Sequence, residues 1–185
     1  MSVRLALKPT KQQLADAYGK KLPDVIAAQL KVLFVGINPS LYSAVVGHHF
    51  ARPGNRFWPA LLESGLTDRL LSPFEDRKLL DYGFGLTNVV DFATARADEL
   101  AGDAFVQGVR SLKRKIRKLQ PRCVALLGIT AYRQAYGRKN VEVGEQLEKI
   151  GGSTVWVLPN PSGLNAHYQL PDFARLFGQL KKALD

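Results

Sequence analysis

The chain has 185 residues, enough for a substantial core and few enough for one domain. Hydrophobic residues make up 46% and charged residues 23%, the balance of an ordinary globular protein, and no apolar run reaches transmembrane length. Twenty-six Lys and Arg against sixteen Asp and Glu leave a formal charge of +10, which favours a polyanionic partner, nucleic acid before membrane. The single cysteine, Cys123, lies in the apolar run Arg122–Leu127 and reads as a small buried hydrophobe. One cysteine excludes an internal disulfide, a four-cysteine zinc site and a cysteine-ligated iron–sulfur cluster. Met1–Leu14 lacks the apolar core of a signal peptide, so an intracellular, cytoplasmic protein is expected.

Residues 1–30 read as an irregular N-terminal arm, with Pro9, Pro23 and a short helix around Lys11–Tyr18. Lys31–Gly36 is the first predicted strand. A loop carrying the adjacent histidines His48 and His49 follows. Asn55 is placed to cap a helix over Arg56–Ser64, where Phe57, Leu61 and Leu62 recur at helical spacing. Ser72-Pro73 ahead of Glu75-Asp76 signals another helix start, ending near Tyr82-Gly83. Gly85–Val90 reads as a short extended segment. Asp103 opens a long helix stopped by Pro121, with a cationic run over Arg110–Lys118. A strand (Arg122–Leu127), a helix (Thr130–Tyr136), a loop and a second apolar strand (Thr154–Leu158) come next. Phe173, Leu176, Phe177, Leu180 and Leu184 make the last segment an amphipathic helix. Strands alternating with helices predict a mainly parallel sheet covered on both faces, in one domain over 1–185. Gly83-x-Gly85 fails the dinucleotide fingerprint, and no phosphate-binding Gly-Lys-Ser/Thr loop is present.

Two turns carry most of the functional information. Gly36-Ile37-Asn38-Pro39-Ser40 follows the first strand, and Asn160-Pro161-Ser162-Gly163-Leu164 follows the last. Each sets an Asn-Pro-Ser at a strand's carboxyl end, where open α/β sheets collect ligands. Residues distant in sequence are therefore expected to share one crevice.

These turns, with Phe50-Ala51-Arg52-Pro53-Gly54-Asn55-Arg56-Phe57-Trp58 and Gly85-Leu86-Thr87-Asn88-Val89-Val90-Asp91, resemble the mismatch-specific uracil/thymine-DNA glycosylases of the uracil-DNA glycosylase superfamily. The resemblance covers 31–185. It implies a three-layer α/β/α sandwich with a short central, mainly parallel sheet. It also implies a monofunctional enzyme that hydrolyses the N-glycosidic bond of mispaired uracil, and in some members thymine, to start base excision repair. No metal or organic cofactor is implied. Double-stranded DNA with G:U or related mispairs is the expected partner, the protein acting as a monomer.

The resemblance carries roles to particular residues. Asn38 matches the residue that holds the attacking water; an amide positions water but is a poor base. Asp91 is the candidate base or electrostatic partner, and its bland alternative is an exposed acid capping the next segment or pairing with Arg96. Phe50 matches the aromatic that stacks on the extruded base. Ile37 contacts the base through its backbone, while Asn88 and the weaker candidate Ser43 fall near the pocket. Gly163, Leu164 and Asn165 match the wedge that enters the DNA, with Asn160 and Ser162 in the same DNA-facing turn. Ala166 stands where some relatives carry a basic residue, which leaves opposite-base preference open. Adjacent His48 and His49 make a poor chelate, so no metal site is expected. The basic helix is assigned to long-range attraction.

Two other readings stand beside the glycosylase. A non-catalytic reader of mismatched or damaged DNA would keep Phe50 and Leu164 without needing Asn38. A small-nucleotide hydrolase would use the crevice but have no use for the wedge. No lysine falls at a matched catalytic position, which disfavours a Schiff-base lyase.

Overall fold

The computed structural model describes residues 8–100 and 102–185. Its strands are β1 (Val32–Gly36), β2 (Phe84–Asn88), β3 (Cys123–Leu127), β4 (Gly144–Ile150) and β5 (Ser153–Leu158). Its helices are α1 (Lys11–Ala15), α2 (Leu41–Val46), α3 (Phe57–Glu63), α4 (Gly102–Leu119), α5 (Ile129–Tyr136) and α6 (Leu170–Leu184), with 3-10 segments over Pro73–Tyr82 and Ala97–Glu99. The five strands form one sheet in the order β2-β1-β3-β5-β4. All neighbours run parallel except β4, which is antiparallel to β5.

Alternation along β1 builds two cores. Val32 and Phe34 face one side with Phe57 and Leu61 of α3 and Phe173 and Phe177 of α6. Leu33 and Val35 face the other with Phe105, Leu112 and Ile116 of α4 and Tyr132 of α5. Because both faces are covered, the central strands are apolar throughout rather than alternating. This is the expected three-layer α/β/α arrangement. Phe34 sits at the centre of the first core, edge-on to Phe57 at 5.3 Å and stacked on Phe177 at 5.8 Å. Cys123 is buried at the start of β3, and burial pushes its thiol up to about 12, so it is inert.

The structure adds two elements to the expected set. The segment after Pro39, read as loop, contains α2: the Ser40 hydroxyl accepts the Ser43 N–H at 3.1 Å, and Gly47 closes the helix in the left-handed conformation. The segment before β5, also read as loop, contains the edge strand β4. Gly151 and Gly152, with φ of 58° and 95°, turn it back into β5.

The arm is more ordered than its composition suggests. Val25 and Leu86 exchange backbone hydrogen bonds of 2.9 and 2.7 Å, Leu22 N–H donates to Asp91 O, and Ala93 N–H donates to Lys20 O. Lys20–Val25 therefore runs antiparallel to the outer edge of β2 at Leu86 and to the Asp91–Ala93 segment that follows it. A half-buried network locks it there. Lys115 of α4 donates to Asp24 and to Thr87 Oγ1 (2.8 Å), and the Thr87 hydroxyl donates to Asp24 at 2.6 Å. One cation of the basic helix is thus internal, and Lys113 lies over the Tyr136 ring at 5.1 Å.

Phe34 is completely buried in the core beneath the site. Phe34→Ala should cost about 3–5 kcal/mol of folding stability in urea titrations, with little change in the slope of the transition.

Candidate active site

The carboxyl ends of β1, β2, β3 and β5 open into one cleft of about 880 Å³. Both Asn-Pro-Ser turns line it, so Asn38 and Asn160 face the same space although they are far apart in sequence. Ile37, Ser43, Phe50, Asn88, Ser162, Leu164 and Asn165 also contribute to its walls.

Asn38 is held by its amide nitrogen. Nδ2 donates to Thr94 Oγ1 at 2.8 Å and to Phe92 O at 3.4 Å. The buried Thr94 hydroxyl spends its own proton on Arg96 O at 2.6 Å, so it meets Asn38 only as an acceptor. That order fixes the amide rotamer. Asn38 Oδ1 is left as the free acceptor in the cleft wall, suited to binding and aiming a water. Thr94 was not among the expected residues. It follows the Gly85–Asp91 motif and meets Asn38 across 56 residues, a pairing no local spacing announces.

Phe50 adopts φ of 52°, left-handed for a non-glycine residue and a conformation that costs energy. Its ring is stacked on Phe57 at 4.4 Å between centroids while also lining the cleft. Asn88 ends β2 almost fully buried, and its side-chain amide makes no hydrogen bond among the described residues. A Cβ on Gly36 would stand 2.4 Å from Asn88 Oδ1, so the amide has room only because residue 36 is glycine. Ile37 splits its roles: its carbonyl accepts the Val90 N–H at 2.9 Å, and its side chain packs on the second core. The Ser43 hydroxyl accepts from Ala51 N–H and from Ser40, both at 3.2 Å, and fastens α2 to the Phe50 segment.

Asp91 lies elsewhere. It does not line the cleft; its side chain is 53% exposed and pairs with Lys21 at 2.9 Å. The cause is the arm: Leu22 bonds to the Asp91 carbonyl, and the carboxylate projects to the surface beside Lys21. The pairing with Arg96 weighed as an alternative is absent too, since Arg96 bonds Asp98 at 2.7 Å. Among the described lining residues Asp98 is the only acid, and there is no lysine.

The second turn is tied up within itself. Asn160 Oδ1 accepts Ser162 N–H at 3.0 Å, Ser162 Oγ accepts Leu164 N–H at 3.3 Å, and Asn165 Nδ2 donates to Asn160 O at 2.9 Å. Asn165 Oδ1 accepts His167 N–H. These polar side chains shape the loop and leave Leu164 standing out, 72% exposed. Gly163 packs on Gly54, where an added Cβ would lie 2.8 Å from the Gly54 carbonyl oxygen.

The two histidines face different partners. His48 Nδ1 lies 3.1 Å from buried Asp76, and His48 is not part of the cleft wall. His49 lines the cleft almost fully buried, with Nε2 2.9 Å from Pro23 O. A carbonyl only accepts, so Nε2 carries the proton. Burial lowers the pKa of His49 against the smaller opposing effect of the Pro23 bond. The ring is therefore neutral near pH 7, with an unprotonated Nδ1.

Sheet, turns and cleft together define an α/β/α protein with its site at the carboxyl ends of the parallel strands. A family model of the uracil DNA glycosylase superfamily matches residues 23–184, and the chain belongs to that superfamily. Its class of activity is accordingly that of a DNA glycosylase, a hydrolase of N-glycosidic bonds. The fold is also similar to a solution NMR structure provisionally titled a uracil DNA glycosylase, from Methanosarcina acetivorans. That match has a TM-score of 0.59 and 18% identity, and covers 88% of this chain and 98% of the other.

The buried His49 makes stability depend on pH. Its folded pKa lies below the unfolded value near 6.5, so the unfolded chain binds more protons as pH falls. Stability is full above about pH 6.5 and declines below it, by at most about 1.4 kcal/mol per pH unit for this one group. In urea titrations from pH 7.5 to 5, His49→Gln should show a shallower decline than wild type.

Proposed function

We propose that this protein is a monofunctional glycosylase that hydrolyses the N-glycosidic bond of uracil in duplex DNA, with G:U mispairs as its principal substrate. The observation that carries this reading is the Asn38–Thr94–Arg96 chain of hydrogen bonds, which leaves one oriented amide oxygen facing the cleft. Phe50 and Asn88 line the same cleft, and Leu164 stands at it, fully projecting.

The target base leaves the helix stack and enters the cleft. Its face stacks on Phe50, whose ring is supported by Phe57. Its edge meets the Asn88 amide, which has no internal partner to give up. Leu164 occupies the space the base vacates. The bond between C1′ and the base then breaks with its electron pair on the base, and the sugar develops oxocarbenium character. Water held by Asn38 Oδ1 adds to C1′ and gives its proton to solvent or to the departing base. In this reading no carboxylate base is used: Asp91 is engaged with Lys21 at the surface and Asp98, the acid of the described lining, with Arg96, so Asn38 acts by positioning. The absence of lysine from the described lining supports hydrolysis over Schiff-base chemistry. Hydrogen bonds within the loop engage Asn160 Oδ1, Ser162 Oγ as an acceptor and both ends of the Asn165 amide, so reading of the opposite guanine falls to the loop backbone and to the Asn160 amide nitrogen, which makes no hydrogen bond among the described residues. The charge of +10 favours approach to DNA.

Abasic-site formation on labelled duplexes with a central G:U, A:U, G:T or G:C pair tests the reading. Wild type should cut G:U. Asn38→Ala should lose about 10²–10³-fold, comparable to removal of an oriented transition-state contact. Thr94→Val should fall between wild type and Asn38→Ala, because the amide is then free to flip. Asp91→Ala should stay near wild type. Tight binding of G:U with every duplex left intact would replace the enzyme with a mismatch reader, and a large loss in Asp91→Ala would restore a carboxylate to the mechanism.

A further inference from the structure

Arg56 is the residue of the Phe50–Trp58 motif whose side chain hydrogen-bonds to the projecting loop. It immediately precedes α3, where Asn55 Oδ1 caps the helix by accepting the Phe57 N–H at 2.9 Å. Arg56 N–H donates to Pro161 O at 2.8 Å. Its Nη1 donates to two carbonyls at once, Ser162 O and Asn165 O, both at 3.0 Å. Its Nη2 reaches Gln169 Oε1 at 3.4 Å. The two carbonyls bracket Gly163 and Leu164. A single guanidinium nitrogen thus pinches the loop at both feet, and the pinched residues stand away from the body. On the other side Gly163 rests on the backbone of Gly54, two residues before Arg56.

Arg56 has no carboxylate partner among the described residues, so it is not held for an ion pair. Every partner it has is a neutral oxygen belonging to the loop or to the residue just before α6. It is half-buried and is not among the described residues that line the cleft. A planar, permanently charged fork suits this task, since lysine offers a single rotating ammonium and cannot hold the same set of carbonyls.

We propose that Arg56 is the positioning residue of the wedge: it holds the 162–165 loop so that Leu164 is set for insertion before DNA arrives. The proposal rests on the glycosylase reading above. Preorganisation means that the ordering of the loop is complete in the free protein and is not charged against insertion. Without it the loop retains its short internal turns but loses the anchor that fixes its height above the cleft, and a displacement of about 1 Å can cost about 10²-fold in rate.

The test is a double-mutant cycle between Arg56 and Leu164. Wild type, Arg56→Lys, Leu164→Ala and the double variant are compared on G:U duplexes with 2-aminopurine beside the uracil. Excision is read as kcat/KM and base extrusion as fluorescence. Thermal unfolding confirms that each variant is folded, and Gly163→Ala provides a second disturbance of the loop that leaves Arg56 intact. Arg56→Lys should lower both extrusion and excision by about 10- to 100-fold. The double variant should be no worse than Leu164→Ala, because Arg56 acts through that side chain. Gly163→Ala should resemble Arg56→Lys. Losses that multiply in the double variant, or an Arg56→Lys protein with wild-type extrusion, would overturn the proposal. A wild type that extrudes the base without excising it removes the catalytic reading alone, and the cycle is then read by fluorescence. A wild type that does neither removes both.

Discussion

Four strands running in the same direction are the constraint on which this molecule depends. Parallel strands cannot be joined by hairpins, so each must be followed by a crossover, and the crossovers here supply the helices that cover both sheet faces. The same constraint puts every strand's carboxyl end on one side. The turn after β1 and the turn after β5 are separated by more than a hundred residues yet border one cleft. Residues that share the cleft need only lie at or just past a strand's carboxyl end, and Asn38, Asn88 and Asn160 all do. The aromatic layer around Phe34 holds β1 against α3 and α6, and α3 in turn supports Phe50 through Phe57. Core packing and site geometry are therefore continuous.

Within that frame the chemistry is decided by which hydrogen-bonding groups are already occupied. Four asparagines border the cleft on these turns and strand ends, and they are not equivalent. Asn38 has its nitrogen engaged and its oxygen free, so it presents one defined polarity. Asn88 has both ends free and can serve as donor or acceptor. Asn160 uses its side-chain oxygen, and Asn165 both ends of its amide, in shaping the second turn. A buried hydroxyl, Thr94, determines the first of these states by having donated its own proton elsewhere. Such assignments follow from counting donors and acceptors, and they distinguish an amide with a free acceptor from a turn-forming one in the same Asn-Pro-Ser context.

Much of this was legible in the sequence. The strands β1, β3 and β5 are continuous apolar runs because they are buried on both faces, and α4 and α6 show their apolar stripes plainly. The Asn-Pro-Ser turns marked the right end of the sheet. The elements that escaped had weak local signals. Helix α2 begins at a serine after a proline and buries only Ser43, so it shows no apolar period. Strand β4 is an edge with Ile150 as its one buried residue, and its Leu147 faces outward. Asp91 looked well placed because the segment carrying it ends at the site. Its side chain turns away because the arm binds that segment from the other side, a tertiary pairing no local pattern contains. Thr94 and Arg56 escaped for the same reason, since their partners are distant in sequence.

The pairing of Lys20–Val25 with the outer edge of β2 has a consequence for how the protein behaves in company. An open parallel strand offers a row of unmet amides and carbonyls, a template onto which another chain can add. Here the chain's own arm pairs with that row at Leu86 and with the residues just beyond β2, fastened by the Lys115–Asp24–Thr87 contacts. The opposite edge is guarded differently, by the charged residues Glu145, Glu148 and Lys149 and by the register shift between Gln146 and Lys149. One margin is partly covered by the chain's own arm, and the other carries charge and an irregular register.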